Sequence, residues 1–135
     1  CDKLSEVLLP NSLREIQESA FRCSSLEEIV IPQSVTSIGD CAFQYCGHLT
    51  SIEIPNSVTE IGEDAFSSCR SLRSVTIPES VKVFGRDAFG KCSSLQSITV
   101  KSKVIGRSAF GDCESLRSII IHESVEVIEK FAFNL

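Results

Sequence analysis

The 135-residue sequence lacks the features by which nucleic-acid-binding and membrane-spanning segments are usually recognised. Its net charge is −5, with 18 acidic against 13 basic side chains. An acidic chain is poorly suited to a phosphate backbone, so we expect no nucleic-acid partner. No apolar run approaches the roughly 20 residues needed to cross a bilayer, so we expect no direct membrane insertion of this segment.

Catalytic and cofactor-binding constellations are also missing from the sequence. The two histidines, His48 and His122, have no partner at the spacing of a metal site or a catalytic triad. Cys41 and Cys46 are too far apart for Cys-x-x-Cys chemistry. Neither a glycine-rich phosphate loop nor an Asn-x-Ser/Thr sequon occurs. The sequence therefore predicts a protein that is not an enzyme, with no catalytic residue, no cofactor and no metal.

What the sequence does contain is one motif repeated from end to end. Its clearest copy, IGEDAFSSCRSL, runs from Ile61 to Leu72, and similar copies begin at Ile38 and Phe84. One cysteine per repeat indicates stacked, buried, free thiols, which we favour over a disulfide framework. Only Cys41 falls outside this row of thiols. The cysteines assigned to the row recur every 21 to 23 residues and are Cys1, Cys23, Cys46, Cys69, Cys92 and Cys113.

The period predicts a leucine-rich solenoid, for which repeats of 20–29 residues rich in Leu and Ile are typical. In the second copy, Ile29 and Ile31 alternate with Glu28 and Val30, as in a half-buried strand. We expect the two isoleucines to point inward and the other two side chains outward. Pro32 is expected to point outward as well and to end the strand, because proline has no N–H for the ladder.

The remainder of each repeat predicts a second layer. Val35 and Ile38 form another inward row, which is expected as a second short strand. Glycines at 39, 62, 85 and 106 are expected to turn the chain with positive φ. Ala42 and Phe43 are expected to begin a short helical turn that places the phenylalanine in the core. The predicted fold class is a β-rich α/β solenoid of leucine-rich repeats. It has about six stacked coils, one parallel strand per repeat, and short strands and helical turns on the other side.

The domain prediction is a single array over residues 1–135, with repeats at 1–22, 23–45, 46–68, 69–91, 92–112 and 113–135. Since the pattern runs to both ends, we expect a fragment of a longer array with apolar surface exposed at each end. Repeat five is shortened by two residues between Val100 and Val104. This deletion is expected to tighten the arc. It could bend the stack and so shape the concave face, or it could be a tolerated deletion that has no role.

The motif from Leu49 to Cys69 resembles the BspA-type leucine-rich repeat, also called the Treponema pallidum type. The resemblance covers the whole chain, with departures at Gln17, residues 101–104, His122, Glu129 and the cysteine-free C-terminal end. It implies a leucine-rich β-solenoid. Members are frequently surface proteins of host-associated bacteria and parasitic protists, similar to adhesins that bind matrix proteins or other cells. The family contributes no catalytic residue.

The outward strand positions and their neighbours are the candidate protein-binding residues. The concave face is the usual binding surface of a solenoid, although exposed Ser and Thr are equally typical of a solvated sheet face. The candidates are Glu28, Val30, Ser51, Glu53, Arg73, Ser74, Thr76, Gln96, Ser97, Thr99, Arg117 and Ser118.

Charge is distributed unevenly along the array. Residues 1–68 hold three Lys/Arg against eleven Asp/Glu, a net −8, whereas residues 69–112 hold eight against three, a net +5. Sequence drift at solvent-facing positions is the simpler explanation. Electrostatic steering of a partner, or head-to-tail association of arrays, is the alternative.

The repeat array predicts a non-catalytic protein-interaction module, and the resemblance implies that it belongs to a cell-surface or secreted, adhesin-like protein. Its partner would be an extracellular-matrix or cell-surface protein. The alternative is an intracellular scaffold, cytoplasmic or cytoskeletal, which binds the subunits of a larger assembly and keeps its thiols reduced.

Overall fold

The structure, a computed structural model, describes residues 3–134. Cys1, which was assigned to the thiol row, lies outside the described residues. Regular secondary structure in the described range consists of strands that follow one another along the chain. They are β1 (Glu15–Ile16), β2 (Ser37–Ile38), β3 (Glu60–Ile61), β4 (Ser74–Ile77), β5 (Val83–Phe84), β6 (Ser97–Val100), β7 (Val104–Ile105), β8 (Ser118–Ile121) and β9 (Val127–Ile128).

The strands pair in parallel between successive coils, which we number by repeat. On one side of the coil, two-residue strands form the sheets β1-β2-β3-β5 and β7-β9, here called the short-strand row. On another side, β4, β6 and β8 form a three-stranded sheet. The register repeats with the motif, so Ile16 aligns with Ile38 and Ile38 with Ile61. The predicted solenoid of leucine-rich repeats is confirmed.

The core is built from columns of identical side chains. Phe43, Phe66 and Phe89 are fully buried, and their rings stack with centroids 5.0 and 4.9 Å apart and planes within 8° of parallel. A single coil cannot bury such a ring from both sides, so the core exists only through stacking. Buried Ala and Leu columns run beside the phenylalanines through the central coils.

The predicted helical turns are wrong, because the segments around the phenylalanines are consecutive turns without a helix in residues 3–134. Cys41 and Tyr45 have φ values of 54° and 62°, and equivalent residues in the other coils are also left-handed. A left-handed residue interrupts right-handed helical geometry, so a helix cannot propagate. The backbone bonds instead to the next coil, as where Phe43 N donates to the Ala65 carbonyl oxygen at 2.7 Å.

The prediction of positive φ at the glycines is also wrong. None of the glycines in residues 3–134 is left-handed. Gly62 is required for a different reason, since a Cβ there would lie 2.5 Å from Asp40 N and 2.6 Å from Gly39 C. Neighbouring backbones touch at this position, and only a residue without a side chain permits that approach.

The expectation of one sheet strand per repeat holds only in coils four to six. Residues 6–9, 28–31 and 51–54 occupy the equivalent positions in coils one to three and are not in strands. Glu6 and Glu28 are equivalent positions of neighbouring coils, and like charges opposite each other disfavour pairing. Isoleucines 29 and 31 do point inward and Glu28 and Val30 outward, but Pro32 is buried rather than outward-facing.

Cys23 does not belong to the thiol row. It is exposed and has φ of 58°. Its N–H donates to the Gln44 carbonyl of the next coil, so Cys23 occupies the position that Tyr45 occupies one coil later. Ser24 fills the row instead, with only 3% of its surface exposed and its Oγ 3.2 Å from Cys46 Sγ. Ser24 follows Phe21 at the same spacing as Cys46 follows Phe43, so Cys23 lies one position too early to reach the core.

The short repeat five interrupts the short-strand row between β5 and β7. The sheet on the other side continues through the same coil as β6. Ser102 closes the shortened arc: it is fully buried, and its Oγ donates to the Val104 carbonyl oxygen at 2.9 Å. A serine whose hydroxyl bonds to its own segment therefore replaces the apolar contact of the longer repeats.

Candidate functional site

The candidate binding residues lie on one side of the solenoid, which we call the sheet face. In its C-terminal half, β4, β6 and β8 place hydroxyl side chains in register. Ser74 aligns with Ser97 and Ser97 with Ser118, while Thr76 aligns with Thr99. Ser97 and Thr99 are half-buried, and the other three are exposed. Adjacent parallel strands lie about 4.8 Å apart, so this half is a closely spaced field of hydrogen-bond donors and acceptors.

We call the aligned serines and threonines of β4, β6 and β8 the hydroxyl field. Two arginines and a glutamine border it, each directly before one of these three strands. Gln96 N donates to the Arg73 carbonyl oxygen at 2.8 Å, and Arg117 N to the Gln96 carbonyl oxygen at 3.0 Å. All three side chains are exposed. Guanidinium groups can bind carboxylates or backbone carbonyls of a partner in a bidentate manner.

In the N-terminal half, the predicted residues Glu28, Val30, Ser51 and Glu53 are all exposed. They border a cleft of about 440 Å³ between coils two and three. Ile52 contributes to the lining of this cleft, and 8% of its surface remains exposed. The sheet face therefore opens into clefts where the strand ladder is absent.

A cleft of about 360 Å³ between coils three and four joins the two halves. It brings together four of the predicted residues, Ser51, Glu53, Ser74 and Thr76. Asn56 and Lys101 also line it, and neither was among the residues predicted from the sequence. Lys101 stands where repeats one to four carry proline, and its N–H donates to the Ile77 carbonyl oxygen at 2.9 Å, which holds it beside the end of β4.

Side chains with catalytic chemistry do not gather at this face. Within residues 3–134, no group of three His, Cys, Asp or Glu side chains is placed to hold a metal ion. His122 Nδ1 lies 2.8 Å from Ser124 Oγ, but this hydroxyl donates to the Lys101 carbonyl oxygen at 2.6 Å. With its proton directed at a carbonyl, the hydroxyl is not arranged as an activated nucleophile.

The buried thiols are held in a hydrogen-bonded row. Cys69 Sγ donates to the Phe43 carbonyl oxygen at 3.3 Å, and Cys113 Sγ donates to that of Phe89 at 3.2 Å. Burial raises the pKa of Cys69 well above its ordinary value and raises that of Cys113 to about 11. Thiols with raised pKa values and no solvent access are poor nucleophiles, so the row is structural.

Cys41 lies outside the row and is only half-buried. Desolvation, and then the nearby Asp64 carboxylate, raise the pKa of its thiol.

Across residues 3–134 we found no helix with the length and apolar character of a membrane span.

Comparisons with known proteins identify leucine-rich repeats in this chain and in similar solved structures. The profile described as BspA type leucine rich repeat region (6 copies) matches residues 1–96. No curated protein matches the chain. Several solved structures are similar, and three are described here. The first, a leucine rich cell surface protein from Faecalibacterium prausnitzii, has 37% identity over 84% of this chain and 31% of its own, with a TM-score of 0.77.

The T. pallidum leucine rich repeat protein has 30% identity over 87% of this chain and 64% of its own, with a TM-score of 0.60. A leucine-rich repeat protein from Bacteroides ovatus has 25% identity over 96% of this chain and 52% of its own, with a TM-score of 0.51. The chain thus spans less than two thirds of the length of each of these proteins. The repeats, the solenoid and the profile match agree, and the chain belongs to the BspA-type leucine-rich repeat family.

Proposed function

We propose that the chain is a non-catalytic protein-interaction module that binds a protein partner through its sheet face. The observation that carries the proposal is the continuous surface from Glu28 to Ser118, where in-register hydroxyls, two arginines and open clefts lie on one side of a stacked core. A rigid core beneath exposed polar groups favours binding, because little conformational entropy is lost when a partner docks.

We further propose that the module works at the cell surface as part of an adhesin-like protein. The similar protein from Faecalibacterium prausnitzii is described as a leucine rich cell surface protein, and this supports the location. The partner would then be an extracellular-matrix or cell-surface protein.

A binding assay with substitutions on two sides of the coil tests the proposal. The full 135-residue chain would be immobilised and exposed to a panel of purified matrix proteins. Thr76→Trp fills the cleft of the sheet face, and we expect it to weaken binding at least about tenfold, or about 1.4 kcal/mol. Glu60→Trp adds the same bulk to the short-strand row and should leave binding unchanged. Equal effects of the two substitutions would contradict the sheet face as the binding surface.

A second candidate is an intracellular scaffold, and the exposed free thiol of Cys23 favours it. Such a thiol persists most readily in a reducing compartment. If matrix proteins give no signal while a cytosolic extract yields one stoichiometric partner that Thr76→Trp releases, the scaffold replaces the adhesin. Mass spectrometry of the native protein, showing Cys23 either reduced or oxidised, gives an independent measurement.

A further inference from the structure

The sheet face has two chemically different halves. We call its N-terminal part, the outward positions of residues 6–8, 28–30 and 51–53, the open half. Here the coils are not joined by a strand ladder, whereas β4, β6 and β8 are paired along their full length. The open half therefore offers a partner different groups from those of the hydroxyl field.

The first of these groups is the backbone itself. Thr50 N donates to the Glu27 carbonyl oxygen at 3.0 Å, but residues 28–31 and 51–54 form no backbone hydrogen bond with another part of the described chain. Clefts of about 420 and 440 Å³ open between coils one and two and between coils two and three. An extended chain cannot enter between coils whose Phe21 and Phe43 rings stack 5.3 Å apart, but along the mouth of such a cleft it can bond to the N–H and C=O groups that open into it.

The second group is a pair of exposed apolar side chains. Leu8 is 90% exposed and Val30 is 82% exposed, and both line the cleft between coils one and two. In the paired strands β4, β6 and β8, the equivalent positions are Thr76, Thr99 and Ile120, and Ile120 is 59% exposed, so the apolar pair next to carboxylates is specific to the open half. Apolar side chains at the floor and rim of a cleft are the usual anchors of an interface, with polar groups around them.

The third group is a set of carboxylates. Glu6, Glu28 and Glu53 line the two clefts and are exposed. The ion pairs formed within residues 3–134 are Arg86–Asp87 and Lys103–Glu126, so these three carboxylates have no basic partner there. A cationic partner would find its complement on this half, and an acidic one would be repelled.

We propose that the open half binds an extended polypeptide segment that carries both cationic and apolar side chains on one face. The proposal rests on the sheet face being the binding surface, as set out above, and it names the half and the partner chemistry. Free backbone groups select an extended segment, the pair Leu8 and Val30 selects apolar side chains, and the three carboxylates select lysine or arginine.

The direct test uses a synthetic peptide of repeating Val-Ser-Lys-Ser. Because side chains alternate along a strand, this sequence presents valine and lysine on the same face. Two matched peptides replace every lysine by glutamate or every valine by serine. We expect the full 135-residue chain to bind the original peptide, to bind the valine-free peptide more weakly and not to bind the glutamate peptide. Higher salt should weaken the binding, since the charges involved are exposed.

Variants of the chain then locate the binding. E28Q/E53Q should raise the Kd about five- to tenfold, the loss expected when two exposed charge pairs are removed. Val30→Ser should raise it about fivefold through lost apolar burial. The matched control E60Q/E63Q removes the same charge from exposed residues outside the sheet face and should leave the Kd unchanged. Thermal unfolding of each variant checks that the fold is retained.

Three outcomes would overturn the inference. The first is equal binding of the lysine and glutamate peptides. The second is equal weakening by E28Q/E53Q and by E60Q/E63Q, which would indicate bulk charge rather than a site. The third is a concentration-dependent dimer that E28Q/E53Q abolishes while the peptide fails to bind, which would assign the open half to a second copy.

Failure of this inference can be separated from failure of the proposed function. A protein partner that Thr76→Trp releases, but that neither E28Q/E53Q nor the lysine peptide affects, would retain the sheet face and refute the open half as a cationic site. A partner that is insensitive to Thr76→Trp, E28Q/E53Q and Val30→Ser would refute the sheet face itself.

Discussion

Gly62→Ala tests whether the glycine column serves close packing or backbone conformation. At an ordinary negative φ, replacing glycine by alanine usually stabilises a protein by about 0.4–1 kcal/mol, because it restricts the unfolded chain. Gly62 has no positive φ, so conformation alone predicts this gain. The contacts predict the opposite, since the new Cβ would lie 2.5 Å from Asp40 N and 2.6 Å from Gly39 C.

The magnitude follows from what must move. Backbone atoms of the adjacent coil cannot rotate away as a side chain can, so the coils must separate. That movement strains the bond from Gly62 N to the Ile38 carbonyl oxygen, now 2.8 Å, and loosens the packing of Ile61. We expect a loss of about 2–3 kcal/mol, the range for overpacked cores. Glu129 occupies this column in coil six, where a coil can shift outward without pressing on another described coil.

Gly47→Ala is the matched control, because a Cβ there meets nothing within 4 Å. Urea unfolding of both variants at constant m-value would measure the two free energies. We expect Gly47→Ala to be between neutral and about 1 kcal/mol more stable than the parent chain. A Gly62→Ala variant as stable as Gly47→Ala would refute the close-contact explanation for the column.

Three further predictions concern the phenylalanine column and the cysteines. Phe66→Ala should destabilise the chain by about 3–5 kcal/mol in urea unfolding, because a fully buried ring stacked on both sides is lost; a change near zero would contradict the stacked column. Under native conditions a thiol reagent should modify Cys23 first and Cys41 next, while Cys69 reacts only on unfolding; rapid labelling of Cys69 would show that the row is accessible. Burial raises the pKa of Cys113 from 9.0 to about 11, so the unfolded chain ionises first and the free energy of unfolding should fall as pH rises from about 9 to about 11. The fall should be smaller in Cys113→Ala, and identical curves for the two proteins would argue against a buried neutral thiol.

The periodic apolar residues predicted much of the architecture. Ile38 and Ile61 are buried and follow a half-buried and an exposed residue, and they form the expected short strands. The phenylalanine column was predicted in the core for the same reason, and it is buried there. Both results depend on a local pattern that repeats at a constant period, which is the kind of signal that a sequence displays directly.

The errors arise where the outcome depends on a neighbouring coil. The glycines were assigned a backbone role, but the constraint on Gly62 comes from atoms of a different coil. The helical turn at Phe43 looked plausible from its local residues, yet its backbone bonds to Ala65 of the next coil. Cys23 fitted the spacing of the cysteines, and only the pairing of coils one and two shows that Ser24 fills the core position.

The candidate site follows the same division. The outward positions could be named from alternation, and the structure places those residues on one face. Whether they form a binding site stays a prediction. The clefts could not be predicted, because they depend on which adjacent coils form a strand ladder. Glu53 and Thr76 occupy equivalent positions of neighbouring repeats, yet only Thr76 lies in a strand.

The sequence by itself determined that the chain is a stacked leucine-rich repeat array and which side chains alternate inward and outward, because both follow from a period carried by each repeat. The tertiary structure alone decided which coils pair as strands, why Gly62 has no side chain, and where the sheet face opens. These properties belong to contacts between coils, and a pattern read along one coil contains no information about the distance to the next.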